Sequence, residues 1–258
     1  MAYRHKKHFG QHFLSDEVLI GRLIQYINPQ KNDLMLEIGP GGAALTRPLL
    51  NKLNKLYAVE VDKDCVAWLL KQFTTSQLEI FNQDVLKFSL TEIKQDSMIR
   101  VVGNLPYNIS TPLLFHLYQQ NHLVDDFHVM VQLEVAARIC AEVDDKQYGR
   151  LSVMSQYYCE PTWLCDIGPD SFDPPPKVDS AFIRLKPKRD RDITIEKTLA
   201  QVVSAAFNQR RKTISNSLKK LVSVDELVNL DINPKLRPQN ISLDDYLQIA
   251  RHIKNKEV

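Results

Sequence analysis

At 258 residues, 44% hydrophobic and 25% charged, the chain has the composition of a globular protein with room for one large core, or a core and a small appendage. A net charge of +2 excludes a polycation, so any surface for a polyanion must come from local clusters. No run of 18 apolar residues occurs and the basic start Met1–His8 has no apolar stretch after it, so neither a membrane span nor a secretory signal is expected. Cys65, Cys140, Cys159 and Cys165 are scattered, with no Cys-x-x-Cys pair. They read as free thiols of a reducing cytosol, and no metal is expected.

Ser15 or Asp16 can cap a first helix, with Val18, Leu19, Leu23, Ile24 and Ile27 as its apolar face. Leu34–Ile38 reads as the first strand of the core. Gly39-Pro40-Gly41-Gly42-Ala43-Ala44 follows as a turn, then a helix over 45–53. Glycines at such a strand-to-helix turn let backbone approach a ligand closely. Gly39-x-Gly41-x-x-Ala44 also satisfies the loose dinucleotide pattern, which leaves NAD open. The second strand, Leu56 to Asp62, carries Glu60 roughly 20 residues past Gly39, the spacing that brings a carboxylate to a ribose diol. Any adenosine-bearing cofactor meets that condition. A helix with Val66, Leu69, Leu70 and Phe73 follows, then a third strand, Leu78–Phe81, ending in Asn82-Gln83-Asp84-Val85.

The apolar run Met98, Ile99, Val101 and Val102 predicts a buried strand that leads into Asn104-Leu105-Pro106-Tyr107. In a chain alternating strands and helices, a strand's carboxyl end is where ligands bind. Asn104 offers an amide oxygen to an amino group. Pro106 fixes φ and biases Leu105 toward extended geometry, which can aim its carbonyl outward. Tyr107 offers a flat face to a nucleobase. Together, two acceptors and a ring suit an exocyclic aryl amine.

Beyond this, Leu113, Leu114, Leu117 and Tyr118 predict a helix. Alternation through Phe127, Val129, Val131 and Leu133 predicts a half-buried strand, and Glu134 to Val143 predicts a helix. Tyr148 to Met154 opens another helix, and Cys159 to Ile167 reads as a strand. The triple proline in Phe172-Asp173-Pro174-Pro175-Pro176 makes a stiff wall before a last, antiparallel strand through Val178, Ser180, Phe182, Arg184 and Leu185. The charged run 186–192 is the best boundary, dividing the chain into domains 1–188 and 189–258. From Thr198 to Val224 there is no acid, while Arg210, Arg211, Lys212, Lys219 and Lys220 are present. A face of one sign points to phosphate.

The Asn-Leu-Pro-Tyr tetrapeptide resembles the catalytic motif of the S-adenosylmethionine-dependent adenine-N6 methyltransferases. With its flanks, Val102-Gly103 and Asn108-Ile109-Ser110-Thr111-Pro112, it looks like the ribosomal RNA adenine dimethylases, and further matches run from His8 to about Leu221. The resemblance implies an α/β Rossmann-like class I methyltransferase sheet with a small all-α C-terminal domain. It assigns catalysis to Asn104, Leu105, Pro106 and Tyr107, with Phe172 stacking on the target base opposite Tyr107. Glu37-Ile38-Gly39-Pro40-Gly41 resembles the motif that wraps the methionine part of S-adenosylmethionine, with Gly39 and Gly41 in contact and Glu37 meeting the ammonium directly or through water. Glu60 takes the ribose, and Asp84 the adenine amino group beside Val85. Phe9-Gly10-Gln11-His12-Phe13-Leu14 resembles the family's Phe-Gly-Gln-Asn-Phe-Leu, which closes over the cofactor; His12 replaces the usual Asn, and His12 and Leu14 become cofactor contacts. Lys6, Lys7, Arg210, Arg211 and Lys212 are the implied RNA contacts.

The implied reaction is dimethylation of two neighbouring adenosines in a 3′-terminal hairpin of small-subunit rRNA, within an immature 30S particle, by a cytoplasmic monomer that binds no membrane. The nearest alternative is a large-subunit rRNA adenine methylase conferring antibiotic resistance. A non-catalytic assembly or transcription factor on the same fold and an NAD oxidoreductase are the others.

Overall fold

The computed structural model describes residues 12–93, 97–209 and 211–256. Two compact units divide the chain: Met1–Ala136 with Thr162–Pro187, and Ala137–Pro161 with Lys188–Val258.

The first unit is built on a seven-stranded sheet. Its strands are β2 (Leu34–Ile38), β3 (Leu56–Val59), β4 (Leu78–Phe81), β5 (Ile99–Asn104), β6 (Val124–Gln132), β7 (Cys159–Ile167) and β9 (Ser180–Pro187). They lie in the order β4-β3-β2-β5-β6-β9-β7. β2 to β6 pair in parallel, and β9 runs antiparallel to β6. The chain winds outward from β2 through β3 to β4, then returns to place β5 on the other side of β2. That reversal makes the carboxyl ends of β2 and β5 the switch point, where an open α/β sheet leaves a crevice. Ile38 is paired with Gly103, so the Gly39 turn and Asn104 leave the sheet side by side.

Helices α1 (Glu17–Ile27), α2 (Thr46–Leu50), α3 (Lys63–Gln72) and α4 (Ser110–Gln119) belong to this unit. Asp16 caps α1 by accepting from Leu19 N–H, and Leu19, Leu23, Ile24 and Ile27 are buried. Val18, expected on that face, is 85% exposed, because 100° per residue places it opposite the stripe. The helix expected over 45–53 is only Thr46–Leu50. β6 does not alternate: it is a central strand between β5 and β9 and is buried on both faces, as strands of a covered parallel sheet are, and Leu133 already belongs to α5 (Leu133–Cys140). Val178 precedes β9 and is exposed. A short antiparallel ribbon joins β1 (Phe13–Leu14) to β8 (Phe172–Asp173).

The second unit collects α6 (Arg150–Tyr158), α7 (Glu196–Phe207), α8 (Ile214–Leu218), α9 (Val224–Asn229) and α10 (Leu243–Lys256). A domain boundary at residue 188 alone therefore misses a second crossing. Residues 137–161 belong with the C-terminal helices, since α6 buries Leu151, Val153, Met154 and Tyr157 and packs on α7 and α10. Tyr246 on α10 is fully buried and its hydroxyl donates to the Pro238 carbonyl. Among the described residues no helix is long and apolar enough to cross a membrane, and no group of potential metal ligands is present.

Candidate active site

The turn after β2 adopts a left-handed backbone at Gly39 (φ 66°), Gly41 (φ 48°) and Ala43 (φ 64°). Gly41 is required twice over, since a Cβ there would also come within 2.5 Å of the Phe13 ring. Beneath the turn lie two buried acids. Glu37, 2% exposed, accepts from Thr46 Oγ1 at 2.7 Å. Burial, only partly offset by that bond and reinforced by Glu60's charge, pushes its pKa up to about 7. Glu60 follows β3 and accepts from Asp62 N–H at 2.9 Å and from Gly41 N–H, which ties the acid to the turn; burial still raises it. The Cys65 thiol donates to the Gly41 carbonyl at 3.2 Å and is pushed up by burial, which makes it an inert thiol rather than a nucleophile. Asp84 follows β4, and its Oδ1 accepts from Leu86 N–H at 3.0 Å, so it does cap the strand end.

Three carboxyl groups thus stand at the carboxyl ends of β2, β3 and β4. Arg47, the nearest cation in sequence, is turned to Gln72 and to the faces of Trp68 and Phe73. An acidic cradle repels a pyrophosphate and favours a ligand that is cationic and rich in donors. An ammonium, a ribose diol and an exocyclic amine on one sulfonium compound match three acids. S-adenosylmethionine therefore fits where NAD does not.

Across the switch point, Asn104 Nδ2 donates to the His12 carbonyl at 3.0 Å. A carbonyl only accepts, so the amide nitrogen faces His12 and Oδ1 is left for another partner. Leu105 N–H donates to the Met130 carbonyl, which fixes the peptide on β6, and Ile109 N–H closes the turn on the Pro106 carbonyl. The Tyr107 hydroxyl shares a 2.5 Å hydrogen bond with Ser180 Oγ, and burial pushes its pKa up. Half-buried Asn104 and Tyr107 are held by His12, which directly precedes β1, and by Ser180 of β9. The partners of Asn104 and Tyr107 lie 92 and 73 residues away in sequence.

Not every expected residue faces this crevice. Phe172 is 3% exposed and packs in the core, paired through the ribbon with Leu14, which is also buried. In this conformation Phe172 has no free face for a base and Leu14 none for a cofactor: both anchor the ribbon apolar side inward. The ring beside Tyr107 is His12, 6.0 Å away between centroids at 24°. Gly103 stood in the sequence only as a flank of the tetrapeptide and Ser180 only as part of the last strand; the close approach to Ile38 and the bond to Tyr107 come from partners far away in the chain.

In the second unit, a groove of about 940 Å³ is lined by Lys212 with Arg150, Lys197, Lys219 and Lys220. Amide side chains, among them Gln201, Asn208 and Asn216, complete the lining, and no acid contributes. Arg150 and Lys197 were not legible as part of it, since the fold brings them there from outside the acid-free stretch. Arg211 is exposed. Lys6, Lys7 and Arg210 lie outside the described residues.

A model of the family described as ribosomal RNA adenine dimethylase matches residues 2–255. The ribosomal RNA small subunit methyltransferase A of Coxiella burnetii is 48% identical over 249 residues, covering 95% of this chain and 96% of that one. The protein of the same name from Nitrosococcus oceani is 49% identical over 257 residues, covering 98% and 97%. The crystal structure of a dimethyladenosine transferase from Plasmodium falciparum aligns with a TM-score of 0.82 at 26% identity, covering 96% of this chain and 99% of that one. The family match over nearly the whole chain and the relatives at 48% and 49% identity agree: the chain belongs to the ribosomal RNA adenine dimethylase family, S-adenosylmethionine-dependent enzymes on the class I methyltransferase fold.

Proposed function

We propose that this chain methylates N6 of two adjacent adenosines in a 3′-terminal hairpin of small-subunit (16S) rRNA, within an immature 30S particle in the cytoplasm. The product is N6,N6-dimethyladenosine. The observation that carries this reading is the Asn104 amide, held nitrogen-first on the His12 carbonyl beside the acidic turn. The small-subunit target is supported by the name carried by the relatives at 48% and 49% identity.

Bound S-adenosylmethionine supplies an electrophilic methyl group on a sulfonium. Glu37, Glu60 and Asp84 hold its ammonium, diol and amino donors, with Gly39, Gly41 and Val85 giving backbone approach. The target amine is a poor nucleophile because its lone pair is delocalised into the purine. Asn104 Oδ1 and the Leu105 carbonyl accept its two N–H groups, so the nitrogen can pyramidalise and its lone pair is freed for attack. Positive charge grows on N6 as its bond to the methyl carbon forms and the carbon–sulfur bond breaks, its electron pair leaving with the thioether; the same acceptors then bind N6 more strongly, which lowers the barrier rather than merely binding the base. No strong base is needed, because the surplus proton leaves to water. The flipped base is held on Tyr107, which returns roughly 1–3 kcal/mol of the unstacking cost. Lys212 and its neighbours in the basic groove, with Arg210, Arg211, Lys6 and Lys7, neutralise RNA phosphates.

The test is incubation of the protein with labelled S-adenosylmethionine and either unmethylated small subunits or large-subunit rRNA, followed by nucleoside analysis. Dimethyladenosine in the small-subunit RNA is expected. Label confined to large-subunit RNA, or no transfer to either, overturns the assignment.

A further inference from the structure

Two hydrogen bonds converge on His12. Its own carbonyl takes the Asn104 amide nitrogen at 3.0 Å, and its Nδ1 lies 2.7 Å from the Pro174 carbonyl. Since that carbonyl can only accept, Nδ1 carries the proton. Pro174 directly follows β8, whose pairing with β1 (Phe13↔Asp173, Leu14↔Phe172) continues the same tie. The imidazole ring also stands alongside Tyr107. His12 is therefore anchored by its side chain at one wall of the crevice while its backbone holds the amide at the other.

An asparagine amide presents an acceptor from one end and two donors from the other, and the two ends are nearly identical in shape. Only the oxygen end can receive an amine's N–H; the nitrogen end would set donor against donor. Sterics alone do not choose between them. What chooses here is the His12 carbonyl, held in place by the Nδ1–Pro174 bond together with the β1–β8 pairing that follows it.

We propose that His12 is a positioning residue of the methyl-transfer site: anchored on Pro174, it holds Asn104 in the one amide orientation that offers an oxygen to the target amine. The inference rests on Asn104 being the acceptor of that amine. It assigns His12 a role toward the RNA base that is separate from contact with the cofactor.

The test uses the full chain with S-adenosylmethionine and unmethylated small subunits. His12→Phe keeps an aromatic ring beside Tyr107 but removes the donor to Pro174. It should lower kcat about tenfold, the value of one hydrogen bond, with the KM for the RNA particle unchanged. His12→Asn places an amide N–H where Nδ1 stood and should return kcat to within about twofold of the parent. The deciding measurement is a double-mutant cycle: in an Asn104→Ala background, His12→Phe should cost nothing further. If His12→Phe costs the same factor in both backgrounds, or acts only by weakening S-adenosylmethionine binding in calorimetry, the positioning role is overturned while the reading of Asn104 stands. If Asn104→Ala itself turns over near-normally, the reading of the site fails first.

Discussion

Gly103→Ala is the perturbation whose consequence the structure states most sharply. Gly103 is the penultimate residue of β5, paired in parallel with Ile38 of β2. A Cβ at Gly103 would lie 2.6 Å from the Ile38 carbonyl oxygen, 3.1 Å from Ile38 Cβ and 3.3 Å from Ile38 N. Comfortable C···O distances begin near 3.3 Å, so the strands must part by roughly 0.7 Å. The obstacle is backbone at the centre of a parallel sheet and has no rotamer to escape into. Overpacking of this kind costs about 1–3 kcal/mol, and the central position argues for the upper end. These two strands carry the Gly39 turn and Asn104, so the same parting separates donor site from amine site. Misplacement on the order of 1 Å costs about a hundredfold in rate. Urea unfolding should show a loss of about 3 kcal/mol, and turnover under saturating substrate should fall roughly ten- to a hundredfold. Gly21→Ala is the control: a Cβ there meets nothing within 4 Å on the exposed side of α1, and it should stabilise by about 0.5–1 kcal/mol. An unchanged urea midpoint and turnover within about twofold of the parent for Gly103→Ala would refute the reasoning.

Four further outcomes are expected. Asn104→Ala should lose at least about a hundredfold in kcat, about 3 kcal/mol of transition-state stabilisation, while calorimetry still detects S-adenosylmethionine binding. Glu37, raised from 4.5 to about 7, binds a proton in the folded state that the unfolded chain has already released. Stability should therefore fall by about 3 kcal/mol as pH rises from about 4.5 to about 7, and Glu37→Gln should flatten that slope in urea titrations across the range. Arg100 bonds Asp126 at 3.0 and 2.9 Å, Asp33 at 2.6 Å and the Ile27 carbonyl at the end of α1. Burial pushes Asp126 up, but His128 and Arg100 outweigh it and hold it at about 2. That contribution, about 2 kcal/mol, is present above about pH 4 and is lost as pH falls through about 2; Arg100→Met should reduce it and cost about 3 kcal/mol at neutral pH in thermal unfolding. Replacing Lys219 and Lys220 by Gln should weaken particle binding and reduce the salt dependence of log K by about 0.7–0.9 for each phosphate no longer neutralised, with base discrimination unchanged.

Much of this protein is local and could be read directly. The apolar runs of β2 and β4 set their own bounds, the glycine turn announces itself through residues that tolerate positive φ, and Asp16 ahead of an apolar stripe marks the start of α1. The spacing of Glu60 and Asp84 after the turn survives as well, because a strand–helix unit has a nearly fixed length. Other features depend on partners far away in sequence. Val18 looks like core until the rest of the stripe fixes the helix rotation. Phe172 looks like a free aromatic wall until pairing with Leu14 turns it inward. Residues 137–161 read as part of one domain until the apolar face of α6 finds α7 and α10. His12 reaches Asn104 across 92 residues and Pro174 across 162, so nothing in its neighbourhood could announce that it decides which end of an amide faces the crevice. Periodicity and turn chemistry are written in adjacent residues, and so the sequence by itself determined most core strands, the turn and the candidate groups of the site. The orientation of those groups is a property of long-range hydrogen bonds and buried faces, and only the tertiary structure decided it.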